Sequence, residues 1–566
     1  MIAALACLLV TAAGQPLLRT RLDNGVVRAE LRHAATGGPV SEESPARPGE
    51  ILIAMAAGLG EEATALVGEV RVEAVLLDPE RIEFRVPESV RGSFVEISIV
   101  SGGSRTNSAS FPVDQGDPSQ LLAAEVAGLI ERAALAIDDP RLAIAVTDRL
   151  GRPLALYRKP QAGDEAVETA LALARTGAFF SHNQAPLSSR TVRALSREHF
   201  PNDVPNQPAA ALFGIENTNR GCGLNAGFLP GKSVPPATDA SGSGPGRGIA
   251  TIPGGLPIYK NGAMVGGIGA GGLEPQAGEF AAVAAVAGTE FSVPLPLPPP
   301  GAVFIDGIRL PFVEQWSRPA GSRAAPSSGG VYQIAPRDGS AAPDGYLVGP
   351  QTSATLSAEE VDGVIQRAVA RANRTRAVIR LPLGSRARFV IAVTDLAGNV
   401  LGLFRMTDST VFSLDVAVAK ARNVVYFSSP AADPRDLGGV PPGTAVTNRT
   451  IGFGAQPFFP SGIDNSSPGP FRELYLFDRL HACTQGRQPP HANQSGIVFF
   501  PGSAPLYKNG VLAGGVGVSG DGVEQDDYVT AAAAEGLEAP AHLRADQFFL
   551  RGVRLPYWKF PRNPEE

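Results

Sequence analysis

The sequence predicts an α/β (α+β) protein in which one domain occurs twice, behind a smaller β-rich region. Three observations lead to this prediction: a long internal repeat, hairpin patterns that alternate with helical patterns, and short alternating strands near the N-terminus. The chain has 566 residues, of which 44% are hydrophobic, enough for several packed cores. Its 65 glycines and 50 prolines indicate many turns. The net charge of -6 and the lack of a Lys/Arg-rich run give no reason to expect a nucleic acid as partner.

The internal repeat keeps a nearly constant register. The stretch "LAIAVTDRLGRPLALYRKP" in the first half matches "FVIAVTDLAGNVLGLFRMT" in the second, and "YKNGAMVGGIG" matches "YKNGVLAGGVG". Asp148 and Asp395 lie 247 positions apart (395 − 148), and Tyr259 and Tyr507 lie 248 apart (507 − 259). We therefore predict two copies of one fold and call residues related by this offset register mates.

The chain divides into five predicted segments. The apolar run at residues 1–14 is shorter than the ~20 residues of a membrane span, and we interpret it as a signal peptide of a secreted or periplasmic protein. Alternating polar and apolar runs predict a β-sandwich over 17–115. Copy 1 covers 118–315 and copy 2 covers 355–566. The Gly/Ser/Pro/Ala-rich segment 316–354 between them is expected to be a linker.

Each copy contains a glycine-rich strand whose G-x-G-x-x-G spacing is that of dinucleotide-binding loops. Such a loop needs the first strand of a parallel βαβ unit. Here the strand follows an Asn-Gly pair, at Asn261 in copy 1 and Asn509 in copy 2, and Asn-Gly is a strong signal of a two-residue antiparallel hairpin. We therefore predict that the glycines let a helix pack close to the strand, rather than that they bind a nucleotide.

Three stretches of copy 2 together resemble a known family. In order, "IAVTDLAGNVLGLFRM", "SLDVAVAKARNVVYF" and "PLYKNGVLAGGVGVSGDGVEQDDYVTAAA" are similar to the GlcG/HbpS (haem-binding, DUF336-type) family. Copy 1 is similar but more diverged, and the two copies with the segment between them make up about four-fifths of the chain. The resemblance implies a profilin/PAS-like domain, with about five antiparallel strands and packed helices, and frequent oligomerisation. The N-terminal region resembles the Ig-like domains of secreted bacterial proteins.

The candidate ligand-binding residues lie in copy 2. Glu524, Asp526 and Asp527 open its last helix, where carboxylates either answer the helix dipole or line a cleft beside the glycine strand. Lys420 and Arg422 lie on an earlier helix, and the family resemblance implies that this helix lies near a ligand-binding surface. No nucleophile–base motif is present, so no catalytic residue is assigned and the sequence names no reaction.

The family resemblance implies haem as a cofactor, and haem needs an axial donor, normally His, Cys, Tyr or Met. The two copies share no histidine. His481, Cys483 and His491 are close enough in sequence to be metal-ligand candidates, although their spacing matches no strong pattern and the alternative is a polar surface loop.

Two cysteines remain once the predicted signal peptide is excluded. Cys222 and Cys483 fall at loosely corresponding loop positions of the two copies. Export permits a disulfide between them, and two free buried thiols are the alternative.

Three functions are compatible with these features. The first is an exported binding protein for haem or a related tetrapyrrole, built as an internal pseudo-dimer. The second is a structural or interaction protein at the cell surface, which the divergence of copy 1 favours. The third is an enzyme that uses the acidic residues of copy 2. We expect a small-molecule partner and no membrane span. The sequence leaves open whether the protein forms a homo-oligomer.

Overall fold

The computed structural model describes residues 16–23, 26–41, 44–60, 62–68, 70–87, 94–113, 120–222, 248–293 and 303–565. The predicted signal peptide lies outside these residues. The chain forms two compact units, 1–118 and 119–566. In the described part of the chain, no helix is both long enough and apolar enough to cross a membrane.

The first unit consists of strands in the described residues. Its eleven strands are β1 (Leu17–Leu18), β2 (Thr20–Asp23), β3 (Val26–Ala29), β4 (Leu31–His33), β5 (Ile51–Ala57), β6 (Ala63–Val67), β7 (Val70–Asp78), β8 (Arg81–Arg85), β9 (Phe94–Ser101), β10 (Ser104–Arg105) and β11 (Ala109–Pro112). Every second side chain along β5 is buried, and these side chains pack against those of β8, β9 and β11. This alternation, with one face of each strand in the core, is consistent with the predicted β-sandwich.

Copy 1 places a five-stranded antiparallel sheet between helices. Its elements are α1 (Ala123–Ala136), β12 (Ala143–Asp148), β13 (Pro153–Arg158), α2 (Asp164–Phe180), α3 (Ser189–Ala194), β14 (Gly255–Lys260), β15 (Ala263–Gly271), α4 (Pro275–Val286), β16 (Phe304–Ile305), β17 (Ile308–Arg309) and β18 (Val331–Ile334). The strand order is β14-β15-β12-β13-β18. Ile144 and Val146 face α1 and α4, whereas Ala143 and Ala145 face α2, so both faces of the sheet are covered.

Copy 2 repeats this arrangement. Its elements are β19 (Gly345–Val348), α5 (Ala358–Ala372), β20 (Phe389–Thr394), β21 (Val400–Arg405), α6 (Ser413–Phe427), α7 (Asn448–Gly454), α8 (Arg472–Leu480), β22 (Ser503–Lys508), β23 (Val511–Gly520), α9 (Val523–Ala533), β24 (Phe549–Leu550) and β25 (Val553–Arg554). The strand order β19-β21-β20-β23-β22 gives each strand the neighbours of its counterpart in copy 1. The predicted mixed α/β fold, with antiparallel five-stranded sheets and packed helices, is confirmed.

The segment 316–354 is more than the expected linker. It contains β18, which pairs antiparallel with β13 of copy 1, and β19, which pairs antiparallel with β21 of copy 2. One connecting segment therefore supplies an edge strand to both sheets.

The glycine-rich strands have the predicted role. A Cβ atom added to Gly267 would lie 2.0 Å from Ala174 O of α2, and one added to Gly517 would lie 2.0 Å from Ala417 O of α6. Both strands enter through antiparallel hairpins at Asn-Gly turns in which Asn261 and Asn509 have positive φ. The glycines thus allow the helix backbone to touch the strand, and the parallel geometry of a dinucleotide loop is absent from these strands.

One hydrophobic core cluster contains residues of both copies, in addition to the clusters within each copy. Side chains from the C-terminal end of α2 and from the residues before α6 belong to a single buried cluster. The rings of Phe180 and Phe412 stack with centroids 4.3 Å apart, and the Val411 N–H donates to Phe179 O at 3.1 Å. The end of α2 in copy 1 therefore packs against the start of α6 in copy 2, which is a head-to-tail contact.

Candidate functional site

Lys420 and Asp526 form a buried ion pair and do not line a cleft. Lys420 Nζ donates to Asp526 Oδ2 and to Val518 O, both at 2.8 Å, and lies 5.1 Å from the centre of the Phe500 ring. Burial raises the pKa of Asp526 to about 7, against the pull of the Lys420 ammonium, and burial lowers the pKa of Lys420. The expected cleft beside the glycine strand is not formed there, because these side chains fill the space under α9.

Asp527 has a structural partner that recurs in both copies. Arg449 Nε donates to Asp527 Oδ2, and in copy 1 Arg190 Nε donates to Glu279 Oε1 at 2.8 Å. Glu279 is the register mate of Asp527 (527 − 279 = 248). The acid at this position therefore links α4 to α3 in copy 1 and α9 to α7 in copy 2. Glu524, the third acidic candidate, is paired with Lys559 near the surface.

The candidate metal ligands do not form a metal centre. Cys483 is joined to Cys222 by a disulfide with a Cα–Cα distance of 5.2 Å, so its sulfur is not a thiolate that could bind a metal. The ring of His481 stacks on Phe477 with centroids 3.8 Å apart. Among the described residues, no group of three His, Cys, Asp or Glu side chains is arranged to hold a metal ion. His491 lies elsewhere, on the wall of a cleft.

This cleft lies in copy 2, at the C-terminal end of α6, and has a volume of about 1120 Å³. Its floor is the end of α6 and the turn of the first hairpin, and its walls are three loops and the second hairpin. The side chains that give it its chemistry are Leu396, Ala397, Arg422, Val425, Tyr426, Pro430, Pro434, Arg487, Pro489, His491, Tyr507 and Leu512. Of the five predicted ligand-binding residues, Arg422 alone is among the lining residues.

The arginines and Tyr426 of the cleft form hydrogen bonds with neighbouring protein groups. Arg422 Nε donates to Gly398 O at 2.9 Å, and burial lowers its pKa only to about 10, so it stays charged at neutral pH. Arg487 Nη1 donates to Asp436 Oδ1 at 2.9 Å, and Tyr426 donates its hydroxyl hydrogen to Asp436 Oδ2 at 2.7 Å. Asp436 therefore fixes one arginine and one tyrosine of the wall.

Two further side chains of the cleft carry groups that can act on a ligand. Burial raises the pKa of Tyr507 to about 12, so its hydroxyl stays protonated at neutral pH. His491 Nδ1 accepts a hydrogen bond from the Asn493 N–H at 3.2 Å. The cleft thus combines apolar walls with aromatic and imidazole groups, the buried guanidinium of Arg422, the guanidinium of Arg487 paired with Asp436, and the carboxylate of Asp433. Such a lining suits a large, mainly apolar ligand.

Sequence reasoning missed most of this cleft because loops form it. The loops at 428–434 and 485–491 have no periodic pattern and no counterpart of equal length in copy 1. Tyr507 is visible in the sequence as a repeated residue, yet its position beside these loops depends on the tertiary fold.

The fold defines a class of protein: an α/β domain present as two fused copies, with a large cleft in the described residues of copy 2. A family model described as "Haem degrading protein HbpS-like" matches residues 119–287 and 356–535, one region in each copy. The chain belongs to this HbpS-like family, as the sequence resemblance implies.

Several solved structures are similar to parts of the chain. A PduOC:haem complex is 22% identical, covers 33% of this chain and 97% of its own, and has a TM-score of 0.22. The ORFY protein of Klebsiella pneumoniae is 20% identical, covers 33% of this chain and 92% of its own, and has a TM-score of 0.22. A double mutant of HbpS from Streptomyces reticuli is 20% identical, covers 35% and 98%, and has a TM-score of 0.20. A search of the curated proteins finds no match.

Proposed function

We propose that this protein binds haem or a related tetrapyrrole in the cleft of copy 2. The observation that carries the proposal is the cleft itself: about 1120 Å³, apolar walls, and the cations Arg422 and Arg487. Membership of a family described as haem-degrading supports haem as the ligand class, and one similar structure is titled as a haem complex.

The residues of the cleft fit such a ligand. Ligand pockets commonly measure about 300–1,000 Å³, so the cleft has room for a planar macrocycle. Arg487, which is partly exposed, would pair with a carboxylate of the macrocycle, because guanidinium groups bind carboxylates well. Arg422 is buried and would add positive charge beneath the ligand. His491, Tyr426 and Tyr507 belong to the residue types that ligate haem iron.

Among these donors, His491 is the one we propose for the iron. Burial and the bond to Asp436 keep Tyr426 protonated, because both raise its pKa. A histidine that binds a metal usually donates its other ring N–H to an acceptor. Since His491 Nδ1 accepts from Asn493, ligation through Nε2 requires the ring to give up this bond. When bound, haem supplies an iron centre for redox chemistry.

We also propose that the protein is exported and that its copies act as an internal pseudo-dimer behind an Ig-like spacer. The Cys222–Cys483 disulfide supports export, because such bonds persist in oxidising compartments. The same bond and the shared core link the copies. The alternative of an enzyme based on Glu524, Asp526 and Asp527 has less support, because these acids are engaged in ion pairs away from the cleft.

The proposal is tested by titrating the purified full chain with haemin and following the Soret band. For the wild type we expect a shifted band at stoichiometric protein. His491→Ala should give a band position that differs from that of the wild type. His481→Ala, the control from the opposite end of the same loop, should give the wild-type band. Ala397→Trp, which fills the cleft from an exposed lining position, should abolish the shift. An unshifted band for the wild type would remove haem as the ligand, and a shift that survives Ala397→Trp would remove the cleft as its site.

A further inference from the structure

The surface that forms the cleft in copy 2 also exists in copy 1, where it is covered. Five lining residues of the cleft have register mates in copy 1 that belong to the core shared by the copies. These pairs are Ala397 with Leu150, Val425 with Ala178, Tyr426 with Phe179, Tyr507 with Tyr259 and Leu512 with Met264. The copy 1 members are 6% exposed or less, and Val425, Tyr426 and Tyr507 of copy 2 are equally buried, whereas Ala397 is exposed and Leu512 is partly exposed. The copies therefore differ in the pairs Ala397–Leu150 and Leu512–Met264, which belong to a cleft lining in copy 2 and to a buried contact in copy 1.

Two segments of copy 2 cover the surface in copy 1, residues 379–385 and 408–412, which we call the plug. Phe412 is its main apolar group and stacks on Phe180, while the backbone of Val411 bonds to copy 1 at Phe179. Both segments also make polar contacts. Gln184 Nε2 of copy 1 donates to Leu381 O at 3.1 Å and to Ser385 Oγ at 3.0 Å, and the Asn183 N–H donates to Asp408 Oδ1 at 3.1 Å.

Charge completes the contact between the plug and copy 1. Arg149, in the hairpin turn of copy 1, lies 3.9 Å from Asp408 of the plug. Arg380 of the plug donates to Gln184 Oε1 at 3.1 Å and to Asp408 Oδ2 at 2.7 Å. The plug is therefore held on copy 1 by apolar stacking, by hydrogen bonds to Phe179, Asn183 and Gln184, and by the ion pair of Asp408 with Arg149.

Within its described residues, copy 1 has no counterpart of either plug segment. The register mates of Val411 and Phe412 are Asp164 and Glu165 (411 − 247 and 412 − 247), which open α2 with two charges. The connection that carries the first plug segment runs from α5 at Ala372 to β20 at Phe389, whereas the corresponding connection in copy 1 runs only from Ala136 to Ala143.

We propose that copy 1 contains a ligand cleft closed from within by the plug, so that each chain offers a single open site, in copy 2. The inference rests on the proposed function only for the chemical nature of the ligand. Copy 1 then has a structural role: it binds the plug and so fixes the position of copy 2. The closed site also explains how copy 1 can diverge in sequence while it keeps its fold.

The test compares the labelling of cysteines at register mates in the full chain by a maleimide, without reductant. Leu150→Cys reports the closed site and Ala397→Cys the open one, with the wild type as background. We expect Leu150→Cys to react about 100-fold more slowly or slower, because labelling requires local opening. Adding Phe412→Ala should accelerate Leu150→Cys about 10-fold or more and leave Ala397→Cys unchanged.

A second pair, Met264→Cys and its mate Leu512→Cys, replaces the first if Leu150→Cys does not fold. Equal labelling of the two members of a pair would overturn the proposal, as would a protected Leu150→Cys that Phe412→Ala leaves unchanged. Because labelling needs no haemin, a protected copy 1 in a protein that binds no haemin would overturn the proposed function and support the closed site.

Discussion

His182 is a fully buried histidine at the junction of the two copies. Its Nδ1 accepts from the Ala185 N–H at 3.1 Å, and its Nε2 lies 4.0 Å from Asp521 Oδ1 of copy 2. Burial, and then the nearby charges of Arg380 and Arg149, lower the pKa of His182 well below the ordinary value for histidine. The ring is therefore neutral in the folded protein, and its protonation opposes the contact between the copies.

The low pKa of His182 predicts how stability depends on pH. Below about pH 6.5 the unfolded chain takes up a proton at this histidine and the folded chain does not, so the free energy of unfolding falls as the pH falls, by up to about 1.4 kcal/mol per pH unit. His182→Asn keeps an acceptor near Nδ1 and should remove this part of the slope. His542→Asn, at an exposed position, is the control. Denaturant unfolding from about pH 5 to 7.5 measures the slopes, and equal slopes for the wild type and His182→Asn would contradict the interpretation.

At the scale of single residues, the sequence identified candidate side chains but did not predict which other side chains they contact. The acids at the start of α9 are present as predicted, but whether a carboxylate meets solvent or an arginine depends on a distant helix. Asp527 meets Arg449, which is 78 positions earlier in the chain. The pairing of Cys222 with Cys483 was one of two alternatives at the level of sequence, because 261 positions separate them and only the fold brings them together.

The glycine-rich strand is the element whose role follows most directly from local sequence. The Asn-Gly turn fixes the antiparallel hairpin, and glycine at alternate positions leaves room for the helix that crosses the strand. The edge strands β18 and β19 could not be predicted in the same way. Each has four residues next to Pro- or Gly-containing segments, and its partner strand lies far away in sequence.

Gly517→Ala tests the role of the glycine-rich strand. The added methyl group would lie 2.0 Å from Ala417 O and 2.8 Å from Ala421 N, so α6 must move away from β23. We expect the free energy of unfolding to fall by about 1–3 kcal/mol, measured by denaturant unfolding. The control is Gly128→Ala in α1, where an added Cβ meets nothing within 4 Å. It should leave the stability unchanged or raise it by up to about 1 kcal/mol. Wild-type stability of Gly517→Ala would contradict the close packing.

At the scale of the whole molecule, duplication has given two copies of one fold with different surroundings. Copy 1 is joined to copy 2 by the plug, by a disulfide, and by a connecting segment that supplies an edge strand to each sheet. The repeat and the architecture of each copy could be predicted from periodicity and register. The head-to-tail contact could not be predicted. The sequence shows where register mates differ, but it does not show which of these residues lie between the packed copies.

We propose that each chain has one open site, in copy 2, and that this site binds haem. Native mass spectrometry of the full chain with a small excess of haemin tests this claim most directly, because it counts ligands on each chain. We predict a species with one haem per chain, lost in Ala397→Trp. A species with two haems per chain, or none at all, would contradict the claim.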